Sequence, residues 1–189
     1  MKFNKVKIEG LSVIEPNVFE DDRGYFFESY NRELFEKNGI PDLFVQDNQS
    51  KSQKNVLRGL HFQLPPYAQA KLVRVIQGSV LDVAVDLRKE SKTYGQYFSV
   101  VISAENRKMF FTPEGFAHGF LTLEDDTIFS YKCSNFYHAE SEDAILWNDE
   151  DLNIDWGIEN PILSGKDKEA KYFNALFNWI YFWGNTFFF

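Results

Sequence analysis

The sequence contains little cysteine and less positive than negative charge. Cys133 is the only cysteine among the 189 residues, so no disulfide can form within the chain, as is typical of proteins in a reducing cytoplasm. Lysine and arginine number 20 against 28 aspartate and glutamate residues, which gives a formal net charge of -8. Nucleic acids and acidic membranes bind positive surfaces, so this charge argues against either as a partner. A small anionic substrate is compatible with it if the chain carries a local basic cluster.

Long hydrophobic runs are also missing. Residues 1–9 lack the apolar stretch of a signal peptide, which together with the single cysteine predicts a cytoplasmic protein. The uncharged segment 172–189 has only 18 residues and includes three asparagines, whereas a membrane-spanning helix needs about 20 mostly apolar residues. Some of its residues share one face at helical spacing: Tyr172, Ala175, Leu176, Trp179 and Trp183. We therefore expect an aromatic C-terminal helix or tail over 171–189 that packs on the body or on a second subunit, with peripheral membrane contact as the alternative and no stable membrane insertion.

Aromatic residues are abundant, and their distribution predicts β structure. They make up 17% of the chain and favour strands. Apolar and polar residues alternate over 80–87, which predicts a half-buried strand. Further β-rich runs are separated by glycine, proline or acidic turns and lie at 71–76, 97–102, 119–123 and 127–132. One short helix is expected over 32–37, capped by Asn31. The pattern predicts a mainly β domain over 1–170, a sandwich or barrel with short peripheral helices.

Three histidines are present, and each lies in a different context. His61 follows Leu60 in an apolar segment, where a histidine is more often a core residue than a ligand. His118 ends a P-x-G-x-x-H pattern at 113–118 that looks like the second motif of the cupin superfamily. Metal-binding cupins add H-x-H and a glutamate, whereas this chain has His-Phe-Gln at 61–63 and no glutamate before Gly78. We therefore expect a cupin-type jelly-roll β-barrel with no metal and no cofactor. His138 is expected to be exposed.

Basic and aromatic residues near these positions suggest a phosphorylated ligand. Arg23, Arg58, Lys71 and Lys166 could together bind a diphosphate. The alternative is that these basic residues lie on the surface and serve only the solubility of the protein. The aromatic residues have a similar alternative, since a barrel interior would be filled by rings such as those of Phe26, Phe27, Tyr131 and Tyr137.

Several long motifs, in order along the chain, resemble one family. They are VFEDDRGYFFESY at 18–30, FVQDNQSKS at 44–52, VLRGLHFQ at 56–63, KLVR at 71–74, DVAVDLR at 82–88, PEGFAHGF at 113–120 and LWND at 146–149. These segments resemble the dTDP-4-dehydrorhamnose 3,5-epimerases over about residues 3–167. The resemblance implies a cofactor-free cupin barrel, usually a homodimer, that acts on a thymidine-diphosphate 4-keto-6-deoxyhexose.

The resemblance also implies roles for individual residues. His61 corresponds to the catalytic base, Asp167 to its orienting partner and Tyr131 to the acid on the opposite face of the sugar. Lys71 and His118 correspond to residues against the sugar or its enolate oxygen. Tyr137 corresponds to a stacking platform for thymine, and Phe26 is a further candidate platform. The other substrate contacts that it implies are Arg23, Glu28, Gln46, Asn48, Arg58, Glu142 and Lys166.

The chemistry of a 4-keto sugar agrees with these roles. A proton next to a ketone can be removed because the electrons delocalise into an enolate, so an epimerase needs a base on one face and an acid on the other. Because C3 and C5 both flank the C4 ketone, one pair of residues can serve both. The motifs do not exclude an enzyme that inverts only C3 or only C5, or one that acts on the 4-keto sugar of another nucleotide. A non-catalytic sugar-nucleotide-binding cupin is the alternative outside enzymes.

Two details leave the geometry open. In a regular strand, alternation would place Arg58 and His61 on opposite faces. A bulge at Gly59 would bring them together; otherwise Arg58 would reach a neighbouring subunit's site. His138 stands where many members of the family have serine followed by proline, so the shape of the loop around Tyr137 is not defined by the resemblance.

Overall fold

The computed structural model describes residues 1–40 and 43–176. The chain forms thirteen strands in this described part: Lys2–Lys5 (β1), Ser12–Glu15 (β2), Phe19–Asp21 (β3), Gly24–Phe26 (β4), Gln46–Ser52 (β5), Leu57–Gln63 (β6), Lys71–Gln77 (β7), Ser79–Asp86 (β8), Tyr97–Ser103 (β9), Met109–Thr112 (β10), Phe116–Thr122 (β11), Thr127–Cys133 (β12) and Glu142–Ala144 (β13). The α-helices are Arg32–Lys37 (α1) and Gly165–Lys168 (α2), and 3-10 turns lie at Ala139–Ser141 and Phe173–Ala175. The mainly β prediction is confirmed.

Two antiparallel sheets face each other across the main core. One has six strands in the order β1-β2-β10-β7-β12-β5, and the other has five in the order β13-β6-β11-β8-β9. The inner faces meet in a cluster that includes Val73, Phe110 and Phe129 from the first sheet and Ala84 and Phe120 from the second. This arrangement confirms the cupin-type jelly-roll prediction. Strands β3 and β4 form a separate hairpin.

The outer faces of both sheets are covered as well. Helix α1 places Phe35 against the six-stranded sheet, while the chain after β13 places Leu152 and Trp156 against the five-stranded one. Because of this cover, the prediction of a half-buried strand over 80–87 is wrong in one respect. The strand is not half-buried: Asp82 and Asp86 point away from the covering segment, yet both are fully buried. The alternation therefore separates two buried faces rather than a core face from a solvent face.

Strand β6 contains the bulge that was one of the open alternatives. His61 pairs with His118 and Arg58 with Phe120, so three steps along β6 match two along β11. Gly59 lies at the irregularity with φ of +131°, and a Cβ atom there would lie 2.5 Å from the Gly119 Cα. Only glycine fits such a backbone and such a close approach. The extra residue turns Arg58 and His61 toward the same cavity.

The helices agree with the sequence where they can be compared. Helix α1 has the predicted bounds, and the Asn31 side chain accepts a hydrogen bond from the Leu34 amide. Near the C-terminus, Phe173 and Leu176 are buried, whereas Tyr172 is 56% exposed, so Tyr172 does not lie on the predicted packed face. The rest of the expected C-terminal helix, including Trp179 and Trp183, falls outside the described residues. No helix of the described part is long and apolar enough to cross a membrane.

Candidate active site

A cavity of about 440 Å³ lies against strands β5, β6, β7, β11 and β12, and a second one of about 320 Å³ adjoins it. The two cavities form one site, since they share the lining residues His61, Lys71, Tyr131, Tyr137 and Glu142. The rings of Phe120 and Phe129 line the first cavity and stack on each other with centroids 4.0 Å apart. The size suits a small-molecule ligand, and the apolar wall lowers the local dielectric constant around the polar groups.

His61 is paired with Asp167, a residue from the far end of the domain. Its Nε2 lies 2.5 Å from the Asp167 Oδ1, while Asp167 itself is almost fully buried. The Ser164 hydroxyl donates to the Asp167 Oδ2 at 2.7 Å. Burial raises the pKa of the Asp167 carboxyl, but the hydrogen bonds from His61 and Ser164 outweigh burial and hold that pKa below its usual value. An ionised carboxylate only accepts, so His61 donates from Nε2 and its Nδ1 is the basic nitrogen.

Tyr131 lies on β12, in the opposite sheet, and lines both cavities. Burial raises the pKa of its phenol above the usual 10.0, and the nearby Cys133 adds to that rise, while Arg58 opposes it. The hydroxyl therefore stays protonated at neutral pH. A buried phenol that holds its proton is suited to be a general acid.

Lys71 and His118 lie deeper in the site. Burial lowers the pKa of the Lys71 ammonium, and within the described part of the chain this ammonium makes no hydrogen bond or ion pair. His118 is buried, with its Nε2 2.7 Å from the Asp82 Oδ1. Burial raises the pKa of the Asp82 carboxyl, and the His118 contact opposes that rise. These two basic side chains can face negative charge that develops on a ligand.

The remaining lining residues form the wider part of the site. Glu142 accepts a hydrogen bond from the Tyr137 hydroxyl at 2.7 Å and pairs with the Lys166 ammonium. Burial raises the pKa of the Glu142 carboxyl, but these two contacts outweigh burial and keep that pKa below its usual value. Arg58 donates to the Ser52 hydroxyl, and Gln46 and Asn48 line the second cavity. Eleven of the fourteen predicted site residues thus line one site: Gln46, Asn48, Arg58, His61, Lys71, His118, Tyr131, Tyr137, Glu142, Lys166 and Asp167.

Three predicted contacts lie elsewhere. Arg23 is at the tip of the β3–β4 hairpin, with 90% of its side chain exposed and an ion pair to Asp21. Phe26 lies on the same hairpin and lines a different cavity together with Arg74 and other residues. Glu28 is exposed and accepts from the Asn31 side chain. None of the three lines the cavities around His61.

The structure adds three residues that the sequence did not single out. Ser164 caps α2 and orients Asp167, and its position three residues before an acidic residue is a helix-start signal. Asp82 supports His118 from inside the core. Gln63 stands where metal-binding cupins have their second histidine, and in this structure it contacts the loop that carries Tyr137. His138 is half-buried rather than exposed, because its ring stacks on Tyr67.

The donor set of the site does not resemble a metal centre. Within residues 1–40 and 43–176, no group of three or more His, Cys, Asp or Glu side chains could hold a metal ion together. His61 lies opposite His118 on the neighbouring strand. Its Nε2 is hydrogen-bonded to Asp167 and is therefore not a free metal ligand.

We expect activity to survive chelators. After dialysis against EDTA, the rate of turnover should stay within about twofold of that of the untreated protein. The reason is that acid and base side chains can transfer protons to and from a ligand without a metal. The measurement is turnover before and after dialysis, with metal content checked in parallel. A large loss that one added metal restores would contradict this expectation.

The fold and the site together define a class of protein. A cupin-type barrel with a His–Asp pair and a protonated tyrosine on one cavity has the groups needed to remove a proton from a bound molecule and return it. The family model for dTDP-4-dehydrorhamnose 3,5-epimerase matches residues 5–175. The chain belongs to this family, whose members are isomerases.

Individual relatives agree closely in sequence and structure. A dTDP-4-dehydrorhamnose 3,5-epimerase of Shigella flexneri is 52% identical over 174 residues, covering 92% of this chain and 96% of that protein. The crystal structure of the enzyme from Elizabethkingia anophelis NUHP1 has a TM-score of 0.89 at 51% identity, covering 93% and 97%. A structure from Legionella pneumophila Philadelphia 1, in complex with dTDP-4-keto-L-rhamnose, has a TM-score of 0.89 at 47% identity, covering 93% and 94%.

Proposed function

We propose that the chain inverts C3 and C5 of dTDP-4-dehydro-6-deoxy-D-glucose, with His61 as base and Tyr131 as acid, in cytoplasmic dTDP-L-rhamnose biosynthesis. The observation that carries these roles is the His61–Asp167 pair, which lines the same cavity as Tyr131 on the opposite sheet. A binding protein would need arginines and aromatic rings, but it has no use for an oriented base and a protonated phenol on one ligand.

Each inversion needs two proton transfers. The Nδ1 of His61 takes the proton from C3 or C5, and the electrons of the broken C–H bond move to the C4 ketone oxygen to form an enolate. Tyr131 then donates its proton to the other face of the same carbon, and the electrons return from the oxygen. Solvent takes the proton from His61 and restores the one on Tyr131. Asp167 stabilises the imidazolium that exists between these steps.

The enolate oxygen is the atom on which charge develops. The Lys71 ammonium has no partner within the described part of the chain and is therefore available for it. His118, held by Asp82, would act beside it. Because the charge appears only after deprotonation, contacts to it lower the barrier more than they strengthen substrate binding.

The wider part of the site suits the nucleotide. Arg58 and Lys166 supply positive charge for the diphosphate, in a chain whose overall charge is negative. Tyr137 offers a ring that is 57% exposed, on which thymine could stack. Gln46 and Asn48 add neutral hydrogen-bonding groups on β5.

Proton NMR of the 4-keto sugar nucleotide in D2O tests this function. We expect deuterium at both C3 and C5, together with the inverted product. Incorporation at one carbon only would identify a single-centre epimerase. No incorporation, with retained binding of thymidine diphosphate, would identify a sugar-nucleotide-binding protein instead.

We further propose that the chain works as a homodimer in which the β3–β4 hairpin completes the neighbouring site. The hairpin carries Arg23 and Phe26, whose expected partner is the substrate, yet neither lines the site of its own chain. Its aromatic residues Phe19, Tyr25 and Phe26 are 66%, 57% and 65% exposed. Exposed rings on the surface of a hairpin favour burial against another molecule, and a two-fold dimer would bury both hairpins alike.

Mixing two inactive variants tests this exchange. In a dimer of R23A and H61N chains, the site with an intact His61 receives an intact Arg23 from the other chain. Co-refolding equal amounts should therefore restore about a quarter of the wild-type sites, since half of the dimers are mixed and each has one complete site. The measurement is turnover of the mixture against each parent, with mass determined by light scattering. A monomer, or a dimer without restored activity, would contradict the proposal.

A further inference from the structure

A buried side chain, Gln63, holds the loop that carries Tyr137 on both sides of that residue. The Gln63 amide nitrogen donates to the carbonyl oxygens of Tyr67 at 2.6 Å and Phe136 at 3.1 Å. Its amide oxygen accepts from the His138 backbone N–H at 2.8 Å. Gln63 thus binds the residues on both sides of Tyr137. A buried amide whose donors and acceptor are all used fixes the backbone that it contacts.

A second contact fixes the same loop through a ring. The His138 imidazole stacks on Tyr67 with centroids 3.8 Å apart and planes 2° from parallel. The Ser141 hydroxyl lies 2.9 Å from the His138 Nδ1. Position 139 is alanine, so no proline restricts the backbone here. The stack supplies a restraint that the local sequence does not.

The Tyr137 ring itself is weakly held. It is 57% exposed, and its own contacts are the hydroxyl to Glu142 and the backbone N–H to the Gln46 side chain. Both Glu142 and Gln46 line the site, so a bound ligand can compete for these contacts. The orientation of the ring before a ligand binds therefore depends on the backbone on each side of it.

We propose that His138, Tyr67 and Gln63 are positioning residues that preset the Tyr137 ring for the nucleobase. A platform held in its bound conformation loses less conformational freedom when the ligand arrives, so the ligand binds more tightly. Gln63 lines the second of the two cavities around His61, whereas His138 and Tyr67 line neither. The effect of His138 and Tyr67 is thus on nucleotide affinity, through Tyr137, and not on proton transfer. The inference rests on the role of Tyr137 in the proposed function.

Alanine variants of the stacked pair test the inference. His138→Ala and Tyr67→Ala should each raise the KM and the dissociation constant of thymidine diphosphate about three- to tenfold, the range expected for a lost aromatic pair. The kcat should stay within about twofold, since stacking on a distant base is uniform binding. His138→Phe keeps an aromatic ring and should restore most of the affinity. Phe136→Ala removes an exposed ring from the other side of Tyr137 and is the matched control, expected to bind normally.

A double-variant comparison separates positioning from general damage to the fold. Tyr137→Ala should itself raise KM more than it lowers kcat. If His138 acts through Tyr137, adding His138→Ala to Tyr137→Ala should change the dissociation constant no further. Equal losses in both backgrounds, or unchanged affinity in either alanine variant, would overturn the inference. If His138→Ala does not fold, Tyr67→Leu gives the same test. An inactive wild-type protein would refute the proposed function, whereas these outcomes in an active enzyme refute only the positioning role.

Discussion

His61→Asn should abolish both deuterium exchange and epimerisation. Without the imidazole no group removes the C3 or C5 proton, so no enolate forms. General bases typically contribute about 10²- to 10⁴-fold, a loss far larger than a packing defect in a side chain that is 28% exposed would cause. The measurements are exchange by NMR in D2O and product formation under the same conditions.

Asp167→Asn supplies the graded comparison for this variant. The amide keeps the shape of the carboxylate but removes its charge, so it leaves the imidazole in the wrong tautomer or less basic. Its activity should fall between the wild type and H61N. Binding of thymidine diphosphate should persist in both variants. A folded H61N protein with near-normal exchange at both carbons would show that the base has been misassigned.

Tyr131→Phe should lose epimerisation while keeping slow deuterium exchange. His61 can still remove a proton, exchange it with solvent and return a deuteron to the same face, but no acid serves the opposite face. Inversion should fall by about 10²- to 10⁴-fold. The two variants therefore fail differently in one spectrum: H61N shows neither signal, whereas Y131F shows exchange without inversion.

The Tyr131 prediction has a matched control. Tyr172→Phe removes the hydroxyl from a tyrosine that is 56% exposed and does not line the site, and it should retain full activity. Inversion by Y131F at close to the wild-type rate would require another proton donor. Equal loss of exchange and inversion would instead place Tyr131 in the deprotonation step.

The strands and most of the site could be predicted because local sequence determines them. The strand at 127–132 is encoded by a β-rich run after an acidic turn, and the helix at 32–37 by the Asn31 cap. Several long motifs in order along the chain, including the one around His61, were sufficient to identify the family and to imply its site residues. Arg58 and His61 share a cavity only because of the Gly59 bulge, which the sequence allowed without requiring it.

Other features depend on contacts between distant segments. The burial of Asp82 and Asp86 could not be read from alternation, because both lie on the inner face of β8, which packs against the other sheet, while the chain after β13 covers the apolar outer face. The stack of His138 on Tyr67 joins residues 71 positions apart in sequence, and no local pattern encodes it. Arg23 was assigned to the substrate by resemblance, but the fold of one chain does not bring it there.

The pairing of His61 with Asp167 also sets the order in which the protein becomes competent during synthesis. The two residues are 106 positions apart, and Asp167 lies on α2, after the last strand of the sheets. Residue 162 runs alongside Val56, with Leu57 donating to its carbonyl, and so brings α2 back to β6. A nascent chain that has completed every strand to β13 therefore has a histidine without its carboxylate partner. Because a domain generally folds as a unit, the His61–Asp167 pair forms only when the C-terminal segment has emerged and docked.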